Sequence, residues 1–482
     1  MSAARWEPVI GLEVHCQLAT RTKLFCGCKN EFGAPPNTNT CPVCSGQPGA
    51  LPVLNEEALA LALRAAVALG CEVAPRSKFD RKNYFYCDLP KGYQVSQYDE
   101  PFCSGGGLLL SSGTFVRLTR IHLEEDAGKS IHDRGDTTLV DLNRAGIPLI
   151  ESVTEADIRS SEEAHEYLTA LKEILEYAGV SNCDMEKGSL RCDVNVSVHR
   201  PDEPFGTRVE LKNLNSFRHV REAIEHEIAR QVEACESGDP ERFPVQETRL
   251  YDPGTGSTRV MRSKEDAHDY RYFPEPDLPP LVVDDALLER ARAAVPELPR
   301  RRRERFVLEL GLSEYDAGVL TGSRAIADFF EETAGLCGDA KQAANWVAND
   351  VLGALGDDEV PGSRLEELTI TPTALAELVA LVAAGTVHRK AARQVLRGML
   401  VSGKDAPTLV AELGLEQVSD RAELEGWVRE ALAGRDRVIA DVKAGKVKAL
   451  GAIVGAVMKA SGGRADPKAV QEIALRIVGE EL

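Results

Sequence analysis

The segment from residue 190 to residue 199 alternates without a break between apolar and polar side chains. The apolar positions are Leu190, Cys192, Val194, Val196 and Val198. The polar positions are Arg191, Asp193, Asn195, Ser197 and His199. Successive side chains of an extended strand point to opposite faces of a sheet. The spacing therefore predicts a β-strand with one buried face and one polar face, as is typical of antiparallel sheets.

The segment 120–130 carries an unusual density of charge at the end of a predicted strand. His122, Glu124 and Asp126 fall on one face, whereas Glu125 falls on the opposite face with the apolar residues. Three carboxylates, a histidine and a lysine within eleven positions exceed what an ordinary strand end contains. One face of this strand is therefore a candidate site for a hard cation.

Two more predicted strands repeat this arrangement. Glu13 and His15 share the polar face of one, and Glu210 and Lys212 share the polar face of another. For any single strand, a solvated outer face is the simpler interpretation. Lys, Thr and Ser would serve a solvated face equally well, so the joint occurrence of Glu-x-His, His-x-Glu-x-Asp and Arg-x-Asp-x-Asn favours a functional site.

The chemistry of these side chains indicates a cation bound mainly by oxygen atoms. The candidate ligands are Glu13, His15, Glu124, Glu125, Asp126, Asp193 and Glu210. Such a set suits Mg²⁺ or Mn²⁺, and the imidazole of His15 suits Mn²⁺ better than Mg²⁺. Lys82, Arg191 and Lys212 supply positive charge. Acids that hold a metal beside cations that hold phosphate are what phosphoryl transfer from ATP requires.

Four of the twelve cysteines are closely spaced. Cys26 and Cys28 are followed after twelve residues by Cys41 and Cys44. Two close thiolate pairs joined by a short loop can surround Zn²⁺ tetrahedrally, and a site closed by four sulfurs leaves no position for catalysis. We therefore expect a structural zinc that staples the loop 26–49, although four free thiols or a redox pair remain the alternative.

Composition restricts the class of protein. A chain of 482 residues is expected to form two or three domains, and its net charge of −19 argues against indiscriminate coating of nucleic acid. The other eight cysteines are scattered singly, no apolar leader precedes the first strand, and no segment is apolar enough to span a membrane. These features predict a cytoplasmic location without membrane attachment.

The order of secondary-structure signals predicts an α+β protein. An antiparallel sheet flanked by helices is expected over 1–293, with helix N-caps at Asn55 and Ser160. Ser160 and Glu163 have the spacing of a capping box. After a proline-rich stretch the signals become helical, with a helical domain over 294–404, where Thr371 caps a helix, and a small helical tail domain over 405–482.

Gly128-Lys-Ser130 resembles the end of a P-loop, but that motif needs a glycine five positions before Gly128, where this chain has Leu123. The segment is therefore not a P-loop. The loops of the tail domain are locally basic, which suits either solvent exposure or contact with an RNA backbone. The candidate tRNA-binding residues are Lys443, Lys446, Lys448, Lys459 and Arg464.

Seven ordered motifs make the chain resemble one family along nearly its whole length. They are Gly11-Leu-Glu-Val-His15, Lys78-Phe-Asp-Arg-Lys-Asn-Tyr-Phe-Tyr86, His122-Leu-Glu-Glu-Asp-Ala-Gly-Lys-Ser130, Val140-Asp-Leu-Asn-Arg144, Gly188-Ser-Leu-Arg-Cys-Asp193, Glu210-Leu-Lys-Asn-Leu-Asn-Ser216 and Asp269-Tyr-Arg-Tyr-Phe-Pro274. The chain is similar to the B-type subunits of the aspartyl/glutamyl-tRNA amidotransferases. The resemblance implies a cradle-shaped catalytic domain, a helical domain and a tail domain that engages the elbow of tRNA.

The same resemblance implies a reaction and a set of site residues. The side-chain carboxylate of Glu-tRNA(Gln) or Asp-tRNA(Asn) would be activated by ATP to an acyl phosphate, which ammonia then attacks. The metal-site residues implied are Glu13, His15, Glu124, Glu125 and Asp193. Lys82, Arg191, Glu210 and Lys212 would lie near ATP or the activated carboxylate. Because the four cysteines are not present in every family member, the expectation of zinc in this chain rests on the spacing of its own cysteines.

The source of ammonia is expected in another protein. The chain shows no amidase signature with a Ser-Ser-Lys arrangement, and its clustered cysteines suit zinc better than a glutaminase nucleophile. The resemblance implies a heterotrimer with an amidase-like glutaminase partner and a small third subunit. The competing hypotheses are a non-catalytic scaffold that docks tRNA and a metal-dependent hydrolase that acts alone. The sequence does not distinguish tRNA(Gln) from tRNA(Asn) as substrate.

Overall fold

The computed structural model describes residues 6–132, 135–263, 270–355, 357, 360, 364–416, 421–462 and 464–480. Two parts of the sequence analysis lie outside these ranges. They are Asp269 of the seventh motif and the first five residues, which were part of the argument that no leader is present. The chain divides into two compact units, 1–299 and 300–482.

The first unit contains all the strands of the described residues. They are β1 (Glu7–Gln17), β2 (Glu72–Val73), β3 (Arg76–Ser77), β4 (Asp80–Asn83), β5 (Tyr93–Ser96), β6 (Cys103–Ser104), β7 (Gly107–Leu109), β8 (Phe115–Glu125), β9 (Lys129–Ile131), β10 (Leu139–Asp141), β11 (Pro148–Thr154), β12 (Leu190–His199), β13 (Val209–Lys212), β14 (Glu247–Asp252), β15 (Ser257–Ser263), β16 (Phe273–Pro274) and β17 (Leu281–Val282). Its helices are α1 (Glu56–Ala68), α2 (Ser161–Tyr177), α3 (Phe217–Glu236) and α4 (Asp285–Ala294).

Ten of these strands form one sheet. Its order is β15-β14-β13-β12-β1-β11-β8-β6-β2, and β7 pairs with β8 beside this path. Neighbouring strands are antiparallel except β13 and β14, which are parallel because α3 lies between them in the chain. The expectation of a sheet with flanking helices is confirmed, with this one parallel pair as a departure from a purely antiparallel sheet.

The apolar face of the sheet forms the core of the first unit. Ile10, Leu12 and Val14 of β1 are at most 1% exposed and belong to one apolar cluster with Leu168 of α2 and Ile224 of α3. The helices therefore cover this face. The alternation of each strand then places its acids and bases together on the other face.

The predicted helix starts agree with the structure, with one difference in detail. The side chains of Asn55, Ser160 and Thr371 accept hydrogen bonds from the first turns of the helices that follow them. The capping box at Ser160 is only half formed. The hydroxyl accepts from the backbone nitrogen of Glu163, but the Glu163 carboxylate accepts from the backbone nitrogen of Arg159.

The secondary structure of the second unit is helical in its described residues, and turns connect the helices. Its α-helices are α5 (Pro299–Leu308), which begins at the unit boundary, and α6 (Glu314–Leu320), α7 (Arg324–Cys337), α8 (Ala340–Asn345), α9 (Pro372–Ala383), α10 (Arg389–Ser402), α11 (Ala406–Glu412), α12 (Arg421–Leu432), α13 (Asp436–Lys443), α14 (Gly451–Ala460) and α15 (Pro467–Glu480). Two separate apolar cores occur, one between Phe306 and Val410 and one between Leu424 and Val478. The boundaries at 293 and 405 stay predictions.

None of the helices described in either unit combines the length and apolar character that crossing a bilayer requires.

Candidate functional site

Four adjacent strands place their polar side chains in register across the sheet. His15 of β1 lies opposite Arg191 of β12 on one side and Glu151 of β11 on the other, and Glu151 lies opposite His122 of β8. In the next row, Glu13 of β1 lies opposite Asp193 of β12. Directly opposed residues lie within side-chain reach, so the rows form one polar patch.

The centre of this patch is a cluster of carboxylates and imidazoles. The Nε2 atom of His15 lies 3.2 Å from an oxygen of Glu151, 3.4 Å from one of Glu124 and 3.9 Å from one of Glu13. Two sets of three side chains converge tightly enough to hold a metal ion: Glu13, His15 and Glu151, and His122, Glu124 and Glu151. Mostly oxygen donors with one imidazole in each set suit Mg²⁺ or Mn²⁺.

Electrostatic coupling within the cluster is strong. Burial lowers the pKa of His15, but its hydrogen bond to Glu151 and the charges of Glu151 and Glu124 outweigh burial and raise that pKa to about 9. Burial and the charge of Glu151 raise the pKa of Glu13 to about 7. Crowded acids of this kind favour a bound cation, because a cation relieves both the burial of charge and the repulsion.

Sequence reasoning missed Glu151, which belongs to both metal-binding sets. Glu151 is only 5% exposed and stands in β11, whose other residues are mainly apolar. The available signal was a single acid inside the apolar stretch Ile147-Pro-Leu-Ile-Glu-Ser-Val153, since an unpaired buried carboxylate is costly. His122 was noted on the polar face of its strand but was not assigned to the metal site.

Glu125 does not join the cluster. It follows Glu124 in β8 and therefore points to the opposite face of the sheet. Its carboxylate forms an ion pair with Lys91 and accepts a hydrogen bond of 2.9 Å from the backbone nitrogen of Val95. The structure therefore does not bring Glu125 together with the other acids that we expected at the metal.

Asp126 holds Arg191 beside the cluster. Its Oδ2 atom lies 3.0 Å from Arg191 and accepts a hydrogen bond of 2.9 Å from Gln17. Burial raises the pKa of Asp126, but the charges of Arg191 and Arg144 outweigh burial and lower it below its usual value. Asp126 therefore stays ionised and fixes the position of a guanidinium group.

A second charged group flanks the cluster on β13. Lys212 forms an ion pair with Asp193, and its Nζ atom lies 2.9 Å from a carboxylate oxygen of Glu210. The hydroxyl of Thr248 donates to the other oxygen of Glu210 over 2.7 Å. The structure thus brings together Asp193, Glu210 and Lys212, which the sequence placed on two separate strands.

These groups line a single cavity of about 650 Å³. Lys82 lies on its wall, with Nζ 4.9 Å from the ring centroid of Tyr270. Arg120 and Arg144 also line the cavity, and the sequence analysis did not assign them to the site. The Nε atom of Arg120 is buried without a hydrogen-bond partner among the described residues. An unpaired guanidinium donor in a cavity suits an anionic ligand.

One wall of the cavity is aromatic. Its members are Tyr84, Tyr86, Tyr270 and Tyr272. The backbone of this wall is held by Asn83, whose side chain donates over 2.7 Å to the carbonyl of Arg271, a residue with φ of 40°. A non-glycine residue in the left-handed region indicates a segment whose shape is imposed by its neighbours.

Two protein-family models match this chain. Residues 8–289 match the family model described as the GatB/GatE catalytic domain, and residues 328–478 match the GatB domain. The chain belongs to the GatB family. Among its relatives, the B-type subunit of the aspartyl/glutamyl-tRNA(Asn/Gln) amidotransferase of Caldicellulosiruptor saccharolyticus is 50% identical over 97% of this chain and 98% of its own length.

Other relatives carry the same name and match as fully. The corresponding protein of Geotalea daltonii is 51% identical over 98% of this chain and 99% of its own length. That of Myxococcus xanthus is 49% identical over the whole of both chains. The cavity lies within the part of the chain that matches the catalytic domain of the GatB family.

The clustered cysteines of this GatB family member converge as the spacing predicted. The sulfur atoms of Cys26, Cys28, Cys41 and Cys44 all lie within 4.8 Å of one another. All twelve cysteines of the chain lie among the described residues, and none of them forms a disulfide bond. Hydrogen bonding to Cys26 lowers the pKa of Cys44 to about 4. Four converging sulfurs, one of them readily ionised, fit a tetrahedral zinc site.

The basic residues predicted to bind tRNA lie on the last three helices and their connections. Lys443, Lys446, Lys448 and Lys459 are exposed, whereas Arg464 is half-buried and donates to the carbonyl of Ser461 over 3.1 Å. Lys446 also lies 3.0 Å from Asp441. The four lysines are therefore placed where an RNA backbone could reach them, and the role of all five stays a prediction.

Proposed function

We propose that this chain is the transamidation subunit of an aminoacyl-tRNA amidotransferase. It would convert Glu-tRNA(Gln), Asp-tRNA(Asn) or both into the correctly amidated aminoacyl-tRNA, using ATP. The observation that carries the proposal is the cluster of acids and imidazoles beside lysine and arginine side chains in one cavity, in a chain whose relatives are named as the B-type subunit of this enzyme.

The cavity supports the first chemical step, which is phosphoryl transfer. A side-chain carboxylate oxygen of the aminoacyl group attacks the γ-phosphorus of ATP, the bond to the β–γ bridging oxygen breaks, and ADP leaves. Glu13, His15, Glu124 and Glu151 would hold Mg²⁺ or Mn²⁺ there. The metal would neutralise negative charge on the phosphate groups. We include Asp193 as a further metal-site residue because it lies opposite Glu13.

The cations of the cavity would bind the anionic groups of the reactants. Lys82, Arg120 and Arg191 face the cavity and would contact the phosphate groups or the activated carboxylate. Lys212 is held between Asp193 and Glu210, which sets its position for the same anions. Positioned charges of this kind stabilise the transition state without having to reorganise during the reaction.

The second step is amidation. Ammonia attacks the acyl carbon of the acyl phosphate and loses a proton, and inorganic phosphate leaves. We assign glutamine hydrolysis to an amidase-like partner that works with a small third subunit, because the close-packed cysteines of this chain suit zinc rather than a nucleophile. The exposed lysines of the tail would bind tRNA.

Alanine substitution at Glu124 and at Asp193 tests the proposal. The complex is purified with its partner subunits, and the glutamine- and ATP-dependent amidation of each mischarged tRNA is measured. We expect each variant to retain tRNA affinity and to lose amidation by at least about 100-fold, because the groups at the reacting phosphate act mainly in the transition state.

An exposed acid of the same unit provides the matched control. Glu72 is exposed on β2, and Glu72→Ala should leave both measurements unchanged. Intact amidation in the Glu124 and Asp193 variants would instead support a tRNA-docking scaffold. Activity of the isolated chain on a substrate without ATP would support a hydrolase.

A further inference from the structure

A buried lysine connects the four-cysteine cluster with the segment 140–144, which leads to the cavity. The side chain of Lys23 is fully buried. Its Nζ atom lies 2.7 Å from the carbonyl oxygen of Asn39, 3.3 Å from that of Leu142 and 3.5 Å from the sulfur of Cys44. A buried ammonium group is costly unless its three protons have partners. Lys23 has three such partners. Asn39 and Cys44 belong to the cysteine loop, and Leu142 belongs to the segment 140–143.

The loop between the cysteine pairs is hydrogen-bonded to the segment 140–143. The backbone nitrogen of Leu142 donates over 2.8 Å to the side chain of Asn37. The backbone nitrogen of Asn39 donates over 2.8 Å to the side chain of Asn143, which in turn donates over 2.8 Å to the carbonyl of Pro35. Because these bonds involve backbone groups of both segments, a displacement of either segment would break bonds to the other.

The next residue, Arg144, carries this connection into the cavity. Its guanidinium group donates to the carbonyls of Ala127 and Gly128 over 2.9 and 2.6 Å, and its Nε atom lies 3.7 Å from Asp126. Asp126 in turn holds Arg191. A continuous set of contacts therefore runs from a cysteine sulfur to two guanidinium groups that line the cavity.

The turn that ends this segment lies close to the cluster as well. Gly146 has φ of 86°, and a Cβ atom placed there would lie 3.4 Å from the Cβ of Cys44 and 3.5 Å from the Cδ of Lys23. Its backbone nitrogen donates over 2.8 Å to the carbonyl of Asp126. The backbone that follows Arg144 thus lies close to both Lys23 and a cysteine.

We propose that Lys23 is a positioning residue that couples metal binding at the four cysteines to the placement of Arg144 and Arg191 in the cavity. A bound metal fixes Cys44, Lys23 bonds to that sulfur and to Leu142, and the segment 140–144 then holds the guanidinium groups. Loss of the metal loosens the same contacts. This inference rests on the proposed function, in which those guanidinium groups contact the anionic reactants.

The substitution Lys23→Met tests the coupling, because methionine keeps much of the apolar stem and removes the ammonium group. Zinc retention of the complete complex is measured by mass spectrometry after dialysis against a chelator. The KM values for ATP and for mischarged tRNA are measured separately from kcat. We expect faster zinc loss and an increase of about tenfold in at least one KM. Lys29→Met, at an exposed lysine of the same loop, should change neither.

A second variant separates coupling from simple loss of the metal. Asn143→Ala removes the bonds to Asn39 and Pro35 but touches none of the four cysteines. We expect normal zinc retention with a KM increase of several-fold. A Lys23→Met complex that loses zinc and keeps both KM values, or one that keeps zinc and both KM values, would overturn the proposal. Unchanged KM values in Asn143→Ala would also overturn it.

The wild-type complex distinguishes a failure of this inference from a failure of the proposed function. If wild type amidates no mischarged tRNA, the proposed function is wrong. Equilibrium dialysis with labelled ATP then replaces the kinetic readout: weaker ATP binding by Lys23→Met and Asn143→Ala supports the coupling, and unchanged binding overturns it.

Discussion

At the scale of single residues, position on a strand decides which acids can act together. Glu124 and Glu125 are adjacent in the chain and both buried, yet only Glu124 belongs to a metal-binding set. Glu125 faces Lys91 on the other side of the sheet. Glu151 enters the cluster from a strand that is distant in sequence, because β11 pairs with both β1 and β8.

Glu151→Gln should therefore impair the reaction as severely as the loss of Glu124. The amide keeps the shape of the side chain but removes the charge that both metal-binding sets share. We expect kcat to fall by at least about 100-fold and the Mg²⁺ concentration for half-maximal activity to rise, while tRNA affinity is unchanged. Steady-state amidation kinetics over a series of Mg²⁺ concentrations measure both effects.

The matched comparison is Glu155→Gln, which changes a partly exposed glutamate just beyond β11. Its carboxylate accepts a hydrogen bond from Thr119 on the surface rather than from the cluster. It should retain kcat and Mg²⁺ dependence. Equal losses in the two variants would show that the effect does not come from the cluster.

At the scale of secondary-structure elements, the helices cover one face of the sheet and leave the opposite face for the polar side chains. α2 is capped by Ser160, whose hydroxyl accepts a hydrogen bond from the backbone nitrogen of Glu163 over 3.1 Å. Leu168 and Leu171 of α2 are then buried in the cluster that contains Ile10 and Leu12 of β1. The start of this helix therefore contributes to the stability of the first unit without touching the cavity.

Removing this cap should lower stability and leave catalysis intact. Ser160→Ala leaves one backbone donor of the first turn without its side-chain acceptor, and we expect the free energy of unfolding to fall by about 1 kcal/mol. Ser160→Thr keeps the hydroxyl and should retain most of that stability. Urea unfolding of the isolated chain, followed by circular dichroism, compares the variants. Equal unfolding free energies of wild type and Ser160→Ala would contradict the assigned cap.

At the scale of the whole molecule, charge is distributed unevenly along an acidic chain. The net charge is −19, yet exposed lysines concentrate in the tail at Lys443, Lys446 and Lys448. RNA binding releases counterions when cations contact phosphates, so a local basic surface can bind tRNA although the chain as a whole is acidic.

The triple variant Lys443→Ala, Lys446→Ala and Lys448→Ala should weaken tRNA binding. We expect a loss of about tenfold at low salt and a shallower dependence of affinity on salt concentration, since fewer phosphates are neutralised. Filter binding with mischarged tRNA at several salt concentrations measures both. The single variant Lys29→Ala, which removes an exposed lysine of the cysteine loop, should bind tRNA as wild type does. An unchanged salt dependence in the triple variant would assign tRNA contact to other residues.

The sequence by itself determined the local features of this protein. Alternation predicted β12 and the faces of β1 and β8. The capping residues predicted the starts of α1 and α2. The spacing of the four cysteines predicted that their sulfur atoms converge, because that spacing closes a short loop. The motifs were also sufficient to identify the family, since they are continuous in the chain.

Only the tertiary structure decided which residues share the site. The pairing of β11 between β1 and β8 brought Glu151 to His15 and His122, and no short-range pattern specifies which strands become neighbours. The same packing turned Glu125 away from the cluster and placed Lys23 between a cysteine and the segment 140–143. A sequence records which face a side chain takes, whereas its neighbours on that face depend on sheet order, which arises from long-range packing.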